Sequence, residues 1–186
     1  GDDQVLENMR RGYTADDYRA LIAEIRQRIP GASIATDIIV GFPGETVEEF
    51  QHTYDLMAEL KMDVAHLARY STRSGTVADR RMVDDVPEDE KWRRFRLLEE
   101  LQADIATKIH ADLLGKTVEV LFEEKVKGRW RGRTPTNKLV FVEAEADLQG
   151  QILPVQITWT GPWSMQAQLI GVEASKLLFP ETVTNP

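Results

Sequence analysis

Two short blocks in this chain of 186 residues combine residue types that ligand chemistry uses. The first is Asp37-Ile38-Ile39-Val40-Gly41-Phe42-Pro43-Gly44-Glu45-Thr46. Its glycines would let a ligand approach the main chain, and a helix starting after them would offer free N–H groups to an anion. The same residues also suit an ordinary strand-to-helix turn stiffened by Pro43. The second block, Tyr70-Ser71-Thr72-Arg73-Ser74-Gly75-Thr76, follows another apolar run. Arg73 there can meet a phosphate or carboxylate, or lie in a solvated loop. Met9-Arg10-Arg11-Gly12-Tyr13 sets two guanidinium groups ahead of a helix, for phosphate contact or for water.

A different chemistry is concentrated further on. Lys125, Lys127, Arg129, Arg131, Arg133 and Lys138 fall in the stretch from 125 to 142 with no acid among them. The whole chain carries a formal charge of −8, so the remainder holds −14 and the asymmetry is local. Trp130 sits between arginines and Asn137 beside the last lysine. Aromatic rings interleaved with cations favour base stacking with phosphate contact, against a charged hairpin that serves solubility. His52, His66 and His110 lack metal-ligand spacing, and His52 and His110 are expected on helix surfaces. The pairs Asp84-Asp85 and Glu123-Glu124 read as solvated faces. There is no cysteine, which excludes disulfides, a thiol nucleophile and thiolate-held clusters within these residues.

The elements that must position these residues follow from periodicity. Thr14 and Asp17 form a capping-box signal, and Tyr18, Ile22, Ile25 and Ile29 give a helical stripe stopped by Pro30-Gly31. Residues 33–40 predict a strand buried on both faces of a parallel sheet. Thr46 and Glu49 start a second helix, and residues 62–70 a second strand, a βαβ rhythm. A polar loop is expected over 71–86. A long helix then follows Pro87, with Trp92, Phe95, Leu98 and Ile105 on one face. After Gly115 the apolar period drops to two at Val118/Val120/Phe122, Leu139/Phe141, Val155/Ile157/Trp159 and Met165/Ala167/Leu169, which predicts a small antiparallel barrel or sandwich. The apolar fraction of 42% is enough for two such cores, and no run reaches the roughly 20 residues of a membrane span.

Taken together, the blocks at 9–14, 36–46 and 70–76 resemble the radical-SAM methylthiotransferases, and the region after Gly115, with Gly132-Arg133-Thr134 and Thr136-Asn137-Lys138, resembles a TRAM domain. The resemblance implies an α/β plus all-β chain: a partial TIM-type radical-SAM barrel over 1–114, an OB-like TRAM β-barrel over 115–175, and a tail over 176–186. It implies S-adenosylmethionine as cofactor, with Asp37, Ile39, Gly41, Gly44, Tyr70 and Ser71 on the cofactor side. It implies a tRNA anticodon stem-loop as substrate, met by Arg10, Arg11 and Arg73 and by the TRAM residues Lys125, Lys127, Arg129, Arg131, Arg133, Asn137 and Lys138. Members with this TRAM pattern modify isopentenyladenosine beside the anticodon. Others act on threonylcarbamoyladenosine, and a non-catalytic RNA-binding protein is the remaining alternative. The family uses two 4Fe–4S clusters held by cysteine triads. Both triads are therefore expected ahead of Gly1, and these residues alone are expected to be inactive. A cytoplasmic monomer served by an external electron donor, with no membrane association, completes the implied picture.

Overall fold

The computed structural model describes residues 1–171, so the expected tail lies outside the described residues. The chain forms two compact units, Gly1–Ala106 and a second from Thr107 onward.

In the first unit, α1 (Asp3–Asn8) is capped by Asp2, whose carboxylate accepts from the N–H groups of Gln4 and Val5. Helix α2 (Ala15–Arg28) opens with the reciprocal Thr14–Asp17 capping box. Strand β1 (Ala35–Val40) pairs in parallel with β2 (Val64–Arg69), in register from Ala35↔Val64 to Val40↔Arg69. Helix α3 (Val47–Leu60) makes the crossover between them and starts at the Thr46–Glu49 capping box. Ile22, Ile34, Leu56, Leu60 and Met62 form the shared core.

Strand β1 is not buried on both faces: burial alternates over residues 35–38 and then deepens through Ile39 to Val40. Thr36 faces α2, where its hydroxyl takes a 3.0 Å hydrogen bond from Tyr18, so the pleat turns the charged Asp37 to the open face. The stretch 71–86 is also not all loop. It holds α4 (Val77–Arg81), nucleated where Thr76 Oγ1 accepts from the Asp79 N–H, a Thr-x-x-acid signal like those of α2 and α3. Helix α5 (Glu88–Ala111) has 24 residues, about 36 Å at 1.5 Å per residue.

The second unit is a closed five-stranded barrel of β3 (Thr117–Val126), β4 (Arg129–Arg133), β5 (Leu139–Val142), β6 (Ile152–Thr160) and β7 (Met165–Leu169), in the order β3-β4-β5-β7-β6. Its ladders are antiparallel except β5 with β7, which run parallel. Closure leaves no exposed edge for the short strands to aggregate through. Val120, Phe122, Val140, Val142, Val155, Ile157 and Met165 fill the interior. The inward residues of β5 are thus Val140 and Val142, and the stripe of Leu139 and Phe141 lies on the outer face.

Candidate functional site

The C-terminal ends of β1 and β2 open onto a cavity of about 510 Å³. This is where parallel α/β layers place ligands. It gathers Ile39 from β1, Tyr70 and Ser71 from the end of β2, Arg73 from the following loop, and Arg10 and Arg11 from the turn after α1. Six residues separated by up to 63 positions in sequence are therefore brought to one cavity. Arg10 occupies the left-handed region at φ 57°, which turns the chain sharply after α1. Among the described residues, Arg10, Arg11 and Arg73 enter no ion pair. Arg69 also lines the cavity, but it is paired with Glu88 and stacked over the Trp92 ring at 3.7 Å. No carboxylate lines the cavity, so its rim is cationic and its interior, with Phe42 and Met82, is apolar.

Asp37 lines only a second cavity, of about 350 Å³, which Ile39 shares with the first and which includes Arg11 and Tyr18. Gly41 and Gly44 line neither cavity. Both take positive φ, 72° and 81°, which a side chain at either position would strain. Their N–H groups are already used: Gly41 donates to Glu45 Oε2 at 2.6 Å and Gly44 to Asp85 Oδ1 at 2.7 Å. A Cβ at Gly41 would come within 2.4 Å of Lys91 Cγ. The glycine therefore makes room for a lysine stem, and the turn does not hold bare N–H groups out to a phosphate.

Glu45, Lys91 and Arg94 are the residues that sequence reasoning missed. Glu45 and Arg94 side chains are buried and paired at 2.7 Å, and Arg94 also donates to the Glu45 carbonyl and to Glu90. Buried Lys91 pairs with Asp84 at 2.6 Å. Asp84 and Asp85 are exposed, as expected of a solvated face, and they also hold the turn in place. The available signal was that Lys91 and Arg94 sit seven and four residues before Leu98, inside the apolar stripe of α5. Glu90 takes hydrogen bonds from Arg93 and then Arg94, which hold its carboxyl down to about 2.

On the barrel, β4 alternates so that Trp130 and Gly132 face in while Arg129, Arg131 and Arg133 face out. Trp130 is buried, its indole N–H donating to the Ala146 carbonyl at 2.9 Å, so it cannot stack on a base. The ring beside the arginines is that of Phe141, with the Arg129 guanidinium 5.1 Å from its centre. Glu143, Thr158 and Gln166 line a groove with them on this face. Arg131 is paired with Glu124 and Arg133 with Glu123, so those acids lean on the basic row. Arg133 also donates to Asn137 Oδ1 at 3.1 Å, and Lys138 Nζ approaches Thr136 Oγ1 at 3.4 Å. Lys125 donates to the Ala144 carbonyl, and Lys127 lies at the β3–β4 turn with φ 50°. Trp159 and Trp163 are the exposed tryptophans of this unit. His110 is buried, and Nδ1 lies 2.6 Å from the Gly161 carbonyl, where a helix-surface position was expected. His52 is exposed and bonded to Asp2.

Among the described residues no group of histidine, aspartate and glutamate could hold a metal ion, and no helix is long and apolar enough to cross a membrane. Residues 1–57 match the model of the Radical SAM superfamily, and residues 112–170 that of the TRAM domain. A Chloroflexus aurantiacus protein named tRNA-2-methylthio-N(6)-dimethylallyladenosine synthase is 54% identical over 89% of this chain and 36% of its own length. Proteins of the same name from Roseiflexus sp. and Dehalococcoides mccartyi are 51% and 47% identical, over 91% and 92% of this chain and 36% and 41% of theirs. The chain thus spans about two-fifths of the length of these curated relatives. It carries a segment similar to the Radical SAM superfamily followed by one similar to the TRAM domain.

Proposed function

We propose that this chain is the part of a tRNA methylthiotransferase that holds the substrate adenosine and the RNA around it. The modified base would be isopentenyladenosine beside the anticodon. The observation that carries this reading is the cavity at the strand ends, apolar inside and rimmed by Arg10, Arg11 and Arg73 with no carboxylate in its lining. The names of the relatives, which span about nine-tenths of the chain, agree with it.

The residues fit S-adenosylmethionine in part. Ile39 gives an apolar wall to both cavities, Tyr70 and Ser71 border the larger, and Asp37 brings a carboxylate to the smaller. These would orient an adenosine and an ammonium group, and the buried Glu45–Arg94 pair would keep the neighbouring turn fixed. When bound, S-adenosylmethionine supplies one-electron chemistry that no side chain can. The chain itself has no cysteine to hold an iron–sulfur cluster. The barrel's contribution is RNA affinity, through Arg129, Arg131 and Arg133 on one outer face beside Phe141.

The test is a chimera in which this chain replaces the matching segment of the Chloroflexus aurantiacus relative. Nucleoside mass spectrometry of tRNA should find the methylthio group on isopentenyladenosine. A folded, cluster-loaded chimera that leaves this nucleoside unmodified would overturn the proposal.

A further inference from the structure

Of the outward arginines of β4, Arg131 and Arg133 are each paired with a glutamate of β3, but Arg129 is not. Among the described residues Arg129 enters no ion pair, and neither does the exposed Glu143. Each stands one residue beyond the Trp130↔Val142 pair of the β4–β5 ladder, and both line the same groove of about 300 Å³. The half-buried ring of Phe141 lies in that groove, its centre 5.1 Å from the Arg129 guanidinium. An unpaired carboxylate on a surface that meets a polyanion repels it, unless the ligand brings donors to that carboxylate. A carboxylate only accepts and a guanidinium only donates. A ligand that satisfies both offers a donor edge, an acceptor edge and a flat face for the ring. Among the RNA bases guanine alone sets two neighbouring donors, N1–H and the N2 amino group, on one edge and two neighbouring acceptors, O6 and N7, on another. Adenine and cytosine place a ring-nitrogen acceptor beside the amino group, and uracil flanks its N3–H with carbonyls, so each turns a lone pair toward a carboxylate. Resting on the RNA affinity proposed above for the barrel, we infer that Phe141, Arg129 and Glu143 form a subsite for an unpaired guanine. The base stacks on Phe141, its Watson–Crick edge donates to Glu143, and O6 and N7 accept from Arg129. The carboxylate that weakens the binding of every other base is the group that selects this one.

The experiment is fluorescence anisotropy of the 186-residue chain with short oligouridylates. They differ only in carrying guanine, adenine, cytosine, uracil or hypoxanthine at the central position. The guanine RNA should bind about tenfold more tightly than the adenine, cytosine and uracil RNAs, the order that a bidentate base contact is worth. Hypoxanthine keeps O6, N7 and N1–H but lacks the N2 amino group, so it should fall between them. Glu143→Gln should bring the guanine-to-adenine ratio toward one, while the all-uracil RNA binds as well as before or better because a negative charge has gone. Circular dichroism checks the fold of the variant, and the hypoxanthine comparison needs no variant. Equal binding of all the RNAs would overturn the subsite while leaving the barrel's RNA affinity standing. So would hypoxanthine binding as tightly as guanine, or a guanine preference that survives Glu143→Gln. Tightest binding of a different base would overturn the subsite too. No binding of any RNA would overturn both.

Discussion

Glu45 shows how much a single buried charge can organise. Its carboxylate takes Arg94 and the Gly41 N–H, and its carbonyl takes Arg94 again. Removing it leaves Arg94 buried with only Glu90 as counter-charge and strands the Gly41 N–H. Glu45→Ala should therefore cost about 3–5 kcal/mol, as one-sided removal of a buried pair does. Urea unfolding with hydrogen exchange at the β1 and α3 amides measures it, and a loss under about 1 kcal/mol would show that the pair is dispensable. Glu90 gives the same network a pH dependence. Its folded value of about 2 lies below the ordinary 4.5, so its stabilisation is complete above 4.5 and is lost as pH falls from there toward 2. Glu90→Gln should flatten the stability curve across that window. Glu45 was hard to read in the sequence because its meaning lies in pairing across 49 positions, to Arg94. Glu45 reads as one more acid ahead of a helix, and its partner α5 lies more than forty residues downstream.

At the scale of elements, the sequence was legible wherever local chemistry decides. Both capping boxes were visible as Thr-x-x-acid, and the parallel strands as short apolar runs, β-branched in β1. The third Thr-x-x-acid signal, at Thr76, was hidden in a polar stretch with no apolar stripe after it, which is why α4 escaped notice. Trp130 was misread for the opposite reason. Its neighbours are arginines, but alternation along β4 sends them outward and the ring inward. Gly132 shows the same inward face under tighter constraint, because a Cβ there would lie 2.5 Å from the Leu121 carbonyl oxygen and 2.5 Å from Val120 Cγ1. Its φ is not positive, so the need for glycine is the close approach of β3 and not the backbone conformation. Gly132→Ala should push β3 and β4 apart and destabilise the barrel by about 1–3 kcal/mol, as overpacking does. A thermal melt followed through the barrel's tryptophans checks this. On the same scale Thr46→Ala, which removes one half of a capping box, should cost only about 1 kcal/mol at α3.

The whole molecule is acidic, and the surface proposed to meet RNA works against that background. A formal charge of −8 repels a polyanion, so association must depend on the local row of Arg129, Arg131 and Arg133. Two of these three are held by carboxylates of the adjacent strand, Glu124 and Glu123. The basic stretch had looked free of acids because its counter-charges stand just before it in sequence and across the ladder in space. The pairs set the arginine geometry and also reduce the charge presented to RNA, so affinity is lower than a count of cations suggests. Replacing Glu123 and Glu124 by glutamine removes the competing carboxylates and keeps the side-chain volume. Two further phosphates can then be neutralised, and the plot of log affinity against log salt should steepen by up to about 1.4, at about 0.7 per single-strand phosphate. Affinity at low salt should rise with it. Reversing Arg129, Arg131 and Arg133 to glutamate should do the opposite, weakening binding and flattening the slope. A slope that moves in neither variant would mean that RNA meets a different face, and the exposed Trp159 and Trp163 would then be the next aromatic surface to substitute.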